Sequence, residues 1–245
     1  MFLLKEKAYK SYSLYRMQEG DFLYVKSFLD KQRNMLDKIE FFYPYKDEEL
    51  KSVLSDGVFW GLFDGQKLIA TFAIDLDEEY AIQIAQIINT CQKSDVVDRA
   101  YESSGLMVDM DYRGQGIASF LMDTAVEEAK KRKLNICGVV HTLNAASMST
   151  FFSRSFALRG VWHMCEGYDF VYLLKRYDEE NDSQELIKRT LLQKPEKCDI
   201  IKKVEYSAMD DCQRHRELLA SGYYGIFCKN DRICFIRDNK GERYE

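Results

Sequence analysis

Six residues, Arg113-Gly114-Gln115-Gly116-Ile117-Ala118, stand between the apolar run "GLMVDMDY" and the long amphipathic stretch "SFLMDTAVEEAKKRK". Glycine weakens a helix wherever it lies inside one, so two glycines at the mouth of a helical pattern serve another purpose. The first four N–H groups of a helix lack intrahelical partners, and the aligned peptide dipoles leave partial positive charge there. Glycines let the backbone come close to a ligand, so this arrangement suits a pyrophosphate. Arg113 adds a full positive charge. A phosphate loop of the GxxxxGK[ST] type does not fit, because no lysine closes the segment. A dinucleotide fingerprint, GxGxxG, fails at its third glycine, where Ser119 stands, and the segment lies mid-chain after an antiparallel hairpin. A strand-to-helix turn that holds nothing is the competing reading.

The elements that must position this loop follow from periodicity. Ala118, Leu121, Met122, Ala125, Val126 and Ala129 recur at helical spacing and form one apolar face. The segment 104–110 before the loop reads as a strand. Further upstream, "GVFWGLFDGQKLIATFAID" places Asp64-Gly65 between two β-rich runs, a hairpin signal. "AYKSYSLYRM" (8–17) reads as one first strand. A helix follows, with Asp21 as N-cap and Phe22, Val25, Phe28 and Leu29 inward, then a second over 46–57 closed by Gly57. Residues 78–100 read as a helix on Ile84, Ile87 and Ile88, although Ile82 and Ile84 also alternate as in a strand. "NICGVVHT" (135–142) is a short buried strand, and Asn144 caps a helix carrying Met148, Phe151 and Phe152. Residues 160–177 form strand, turn and strand. These elements make residues 1–177 one domain. Residues 178–200 are charged and read as a linker. Residues 201–245 read as a small helix-hairpin extension, turning at Asn230-Asp231.

Bulk properties exclude several classes. The chain has 245 residues, 46% hydrophobic and 31% charged, which suits a globular protein with one good core and an appendage. A formal net charge of −5 disfavours sequence-independent nucleic-acid binding and a cationic membrane-surface role. No segment approaches the ~20 apolar residues that span a bilayer, and the N-terminal "MFLLKEKAYK" lacks the apolar core of a secretory signal. The seven cysteines form no CxxC pair and no His lies at ligand spacing from one, so neither a metal site nor a disulfide framework is expected. The expected setting is cytoplasmic.

Arg-x-x-Gly-x-Ala at 113–118, between "LMVDMDY" and the apolar helix, resembles the acyl-CoA-binding motif R/Q-x-x-G-x-G/A of the GNAT N-acetyltransferases. The element order over residues 8–177 is similar to that fold. The family's second landmark, N-x-x-A/S-x-x-L-Y-x-x-x-G-F, falls on "NAASMSTFFSRSF", where Asn144, Ser147 and Phe156 fit. Phe151 stands in place of its Tyr, and Ser155 in place of its Gly. The resemblance implies an α+β fold with a splayed mixed sheet flanked by helices, and the C-terminal extension as a small α+β appendage.

It also implies a chemistry. In such enzymes the strand before the loop carries a bulge, and the pantetheine arm of acetyl-CoA lies where that strand splays from its neighbour. By similarity Leu106, Met107 and Val108 contact the arm through main-chain groups, and one N–H polarises the thioester carbonyl. The segment Arg113, Gly114, Gln115, Gly116, Ile117, Ala118 and Ser119 cradles the pyrophosphate. Asn144 reaches the pantetheine region, with Ser147 and Phe151 alongside it, although Asn144 serves equally well as an N-cap alone. A primary amine of a small molecule or peptide then attacks the thioester directly, and alignment supplies much of the rate. Glu102 and His141 are the candidate bases: His has the better intrinsic pKa, whereas Glu102 needs burial to raise its own. Phe151 has no proton for the departing thiolate, so Tyr168 is the candidate replacement. Asp109 and Asp111 are expected to face solvent.

The acceptor side in this fold falls on residues 20–55 and 78–100, where "EFFYPY" (40–45) is the densest aromatic cluster. The C-terminal hairpin has an edge that pairing with another sheet would cover, which leaves a homodimer open. A CoA-binding module without turnover is the alternative to an enzyme, kept alive by Phe151 and by the want of an evident base.

Overall fold

A computed structural model of the chain describes residues 5–92, 96–163, 169–178 and 204–237. They fall into two compact units, one drawn from 1–81 and 101–136 and the other from 82–100 and 137–245. Strands and helices make up both, in the α+β architecture that the family resemblance implied.

The first unit is an antiparallel meander in the order β1 (Lys5–Tyr9), β2 (Tyr12–Met17), β3 (Val58–Asp64), β4 (Lys67–Ile74), β5 (Tyr101–Val108). The single first strand expected over 8–17 is two strands. The chain turns at Lys10-Ser11, where Lys10 takes φ +56° without the Gly or Asn that normally marks such a bend. The hairpin between β3 and β4 forms as expected, with Asp64 ending its strand and Gly65, at φ +57°, opening the two-residue loop. β3 and β4 are buried over almost their whole length, so their continuous apolar runs sit at the centre of the meander.

Helices α1 (Phe22–Arg33) and α2 (Asp47–Ser55) bury Val25, Phe28, Leu29, Leu50, Val53 and Leu54 against Met17, Phe59, Phe63 and Met107. Asp21 stands at the N-cap of α1, yet its side chain accepts from the Gln18 N–H outside the helix. α3 (Glu78–Cys91) is a helix, as the Ile spacing predicted, with Ile84 and Ile88 buried and Ile82 outward, but it stops short of the expected end, and residues 96–100 are not helical. α4 (Ile117–Arg132) follows the glycine loop and buries Leu121, Met122, Ala125 and Ala129.

In the second unit the strands run in the order β6 (Ile136–His141), β8 (Asp169–Lys175), β7 (Ala157–His163), β10 (Tyr223–Lys229), β11 (Arg232–Arg237), β9 (Val204–Ala208). α5 (Ala145–Phe152) and α6 (Cys212–Ala220) complete it. The C-terminal residues continue the sheet: β10 pairs with β7 through Gly225 and Leu158, and Ala157, Tyr224, Ile226, Phe227, Cys234 and Ile236 share one cluster. The expected turn at Asn230-Asp231 is present, with both residues at positive φ, as a type I′ hairpin requires. β9 adds a strand that the sequence pattern did not announce. Among the described residues no helix is long and apolar enough to cross a membrane.

Candidate active site

The glycine loop is built to leave its donors open. After β5 the chain makes one 3-10 turn over Met110–Tyr112, which Asp109 caps by accepting the Asp111 N–H at 3.1 Å. Gly114 and Gly116 then take φ of +73° and +83°, values an L side chain resists. Gly116 is the N-cap of α4, and its carbonyl accepts the Phe120 N–H at 3.0 Å. Among the described residues none of the backbone N–H groups from Gly114 to Ser119 donates to a protein acceptor. Six consecutive unspent donors at the positive end of a sixteen-residue helix are what an anion cradle needs. Arg113 is exposed, and its Nε donates to the Val108 carbonyl at 3.2 Å.

One expectation around the loop fails. Asp109 is not turned to solvent: it is 5% exposed and pairs with Lys67 at 3.1 Å. Its charge is therefore matched inside the fold. Asp111 is exposed, as expected.

β5 carries a bulge. Thr71 faces Met107 and Ala73 faces Ser104, so Gly105 and Leu106 together oppose the single residue Phe72. Gly105 takes φ +63°, the left-handed first position of a glycine bulge. Thr71 Oγ1 donates to its carbonyl at 2.8 Å, and a Cβ there would lie 2.9 Å from Tyr45 Oη. Leu106 is half-buried, the Met107 side chain belongs to the core, and Val108 pairs with Ala70. Whatever Met107 offers a ligand must come from its main chain.

The same strand carries Glu102 in a crowded setting. Burial, reinforced by the neighbouring carboxylates Asp75 and Glu49, lifts its carboxyl to about 7, against the opposing hydrogen bond from Tyr80. That is the range in which a carboxylate takes a proton efficiently at neutral pH. Asp75 is itself raised, chiefly by burial. Desolvation of the half-buried Tyr45 pushes its hydroxyl far above the usual tyrosine range, against the hydrogen bond it donates to Ser104 Oγ. Sequence reasoning missed Asp75 and Ser104 as neighbours of this site, and placed Tyr45 and Tyr80 only within the broad acceptor-side segments. Gly105, a glycine inside a strand, was the available sign of the bulge.

The second landmark lies in the other unit. Asn144 caps α5, its Oδ1 accepting the Ser147 N–H at 3.1 Å. Its Nδ2 has no partner among the described residues, so the cap and a ligand contact do not compete. Phe151 is buried, with its ring edge-to-face on Phe156 at 4.9 Å and its tip where a Cβ of Gly138 would be. His141 ends β6, 7% exposed. Its Nδ1 accepts the Leu143 N–H at 3.1 Å, so the ring proton sits on Nε2 and the lone pair a base would use is already engaged. Tyr168 lies outside the described residues.

This arrangement agrees with the comparisons. The profile described as the GNAT family of acetyltransferases matches residues 14–154, more than half of the chain. The chain belongs to this family of acyl-CoA-dependent N-acetyltransferases. Among solved structures it is similar to the ribosomal-protein-S5-alanine acetyltransferase of Vibrio fischeri, at 14% identity over 72% of this chain and 98% of that one, TM-score 0.53. An N-acetyltransferase from Staphylococcus aureus Mu50 aligns at 12% identity over 69% and 99%, TM-score 0.51. A ribosomal L7/L12 α-N-protein acetyltransferase in complex with coenzyme A aligns at 15% identity over 72% and 100%, TM-score 0.51. At these identities the likeness shows the fold alone. No curated protein matches the chain.

Proposed function

We propose that the protein transfers an acetyl group from acetyl-CoA to a primary amine of a small molecule or peptide, the amine attacking the thioester directly. The observation that carries this is the run of six unspent N–H groups from Gly114 to Ser119, set in the family's acyl-CoA motif. These donors and Arg113 hold the pyrophosphate. Main-chain groups at Leu106, Met107 and Val108 receive the arm, and an N–H there stabilises the oxyanion as the amine adds to the carbonyl. In the second unit, the Asn144 Nδ2, which has no partner among the described residues, is the donor the family motif offers to the pantetheine arm.

Glu102 is the base. With a carboxyl at about 7 it is largely ionised slightly above neutral pH and takes the proton of the incoming ammonium. His141 is set aside because its Nδ1 is spent on the backbone. The leaving thiolate needs no acid from position 151, since a thiol of pKa ~8.5 departs tolerably at neutral pH.

Calorimetric titration with acetyl-CoA and with free CoA tests the reading. Micromolar binding to the wild type, lost in Gly116→Arg, supports it, and a screen of amines for release of the CoA thiol then identifies the acceptor. Absence of binding at millimolar CoA would refute it.

A further inference from the structure

The first hairpin holds the loop by one peptide group. Tyr9 Oη and Lys10 Nζ both donate to the main-chain carbonyl of Gln115, at 2.9 and 3.0 Å. Tyr12 Oη donates to the Gln115 side-chain Oε1 at 3.0 Å. The hairpin is fastened to α4 in two further places: the Tyr9 ring stacks on Phe120 at 4.6 Å, and Lys7 pairs with Glu127 at 2.7 Å.

We propose that Tyr9 and Lys10 are positioning residues for coenzyme binding, locking the peptide between Gln115 and Gly116 so that the Gly116 N–H faces the bound pyrophosphate; this rests on the acyl-CoA reading above. In a trans peptide the C=O and N–H point opposite ways. Anchoring the Gln115 oxygen toward β1 and β2 therefore turns the Gly116 N–H to the other side. The lock is needed because Gly116 accepts either sign of φ, so this peptide is free to flip and would otherwise present a carbonyl oxygen to a phosphate. The charge-assisted bond from Lys10 also polarises the peptide and makes its N–H a stronger donor. Gly116 is confined on the same side, since a Cβ there would lie 2.8 Å from Tyr9 Oη.

Calorimetry with CoA and with 3′-dephospho-CoA on the full chain tests the lock. Tyr9→Phe, which keeps the stack on Phe120, and Lys10→Met are each expected to weaken both ligands about tenfold, and the double variant further. Lys10→Arg restores most of the affinity. Tyr15→Phe, on the same hairpin but outside the lock, leaves it unchanged. Amide hydrogen exchange at Gly116 in the CoA complex rises in Tyr9→Phe and Lys10→Met, which a merely structural role would not single out. Wild-type affinity in both variants overturns the lock and leaves the acyl-CoA reading standing. A Lys10→Met loss seen with CoA but absent with 3′-dephospho-CoA also overturns it, making Lys10 a direct ligand of the 3′-phosphate. Failure of the wild type to bind CoA removes the reading and the lock together. Should Tyr9→Phe not fold, the exposed Lys10 carries the test.

Discussion

Gly116 and Gly138 lack a side chain for opposite reasons. Gly116 keeps the backbone open: its N–H is unspent and its φ of +83° turns the chain into α4. Gly138 makes room inside a core, and the Phe151 ring fills that room. The contrast extends to the two family motifs around them. The first has exposed donors and a strand neighbour, Glu102, that titrates near neutral pH. The second has a satisfied cap at Asn144 and a ring jammed against a strand. The departure from the family pattern at position 151 sits in a tightly packed place, where the Phe151 ring fills the space a Cβ of Gly138 would take.

If the two regions divide labour in this way, changes in the first should alter activity and changes in the second should alter stability. Glu102→Gln is the strongest test: kcat falls by about 10²–10⁴ with acetyl-CoA affinity retained. In the wild type kcat should rise with pH and reach half its plateau near pH 7, a limb the variant loses. The stability consequence has the opposite sign. The folded carboxyl binds its proton more tightly than the unfolded one, so stability is lost as pH rises from about 4.5 through about 7. Urea unfolding of Glu102→Gln at pH 8 should therefore show a gain of roughly 3 kcal/mol that disappears at pH 4.

Gly116→Ala comes next in size. Its Cβ meets Tyr9 Oη in a backbone region L residues resist, so CoA affinity should drop about tenfold or more beside a stability cost of about 1 kcal/mol. Gly138→Ala should leave CoA affinity unchanged and cost about 1–3 kcal/mol by overpacking against Phe151. Phe151→Tyr should cost a similar amount and give no gain in kcat; a faster enzyme would break the comparison. Asn144→Ala is the smallest and the mixed case. It loses about 1 kcal/mol of helix capping and, through Nδ2, a few-fold in CoA affinity measured by calorimetry.

Local features were legible in the sequence. The apolar face of α4, the glycine loop, the Asn144 cap and the Asn230-Asp231 turn depend on residues within a few positions of each other. The split between β1 and β2 was hidden because Lys10 adopts a left-handed turn conformation unmarked by Gly or Asn. β9 was hidden because five residues gain their stability from pairing with β11 rather than from their own pattern. At the site the sequence offered Glu102 as a base but not what raises it, since its burial and the carboxylates Asp75 and Glu49 come from other elements. Asp109 was misjudged for the same reason: its partner, Lys67, is 42 positions away.

The pairing of β10 with β7 has a consequence in time. Synthesis runs from the N-terminus, and about 60 residues separate the end of β7 at His163 from the start of β10 at Tyr223. At about 5–20 residues per second, β7 is made several seconds before the strand that will cover its outer edge. During that interval the nascent chain carries an unpaired edge beside an apolar hairpin, the arrangement most open to strand pairing with a neighbouring chain on the same messenger. Yield of native protein should therefore depend on how quickly the last third of the chain is translated.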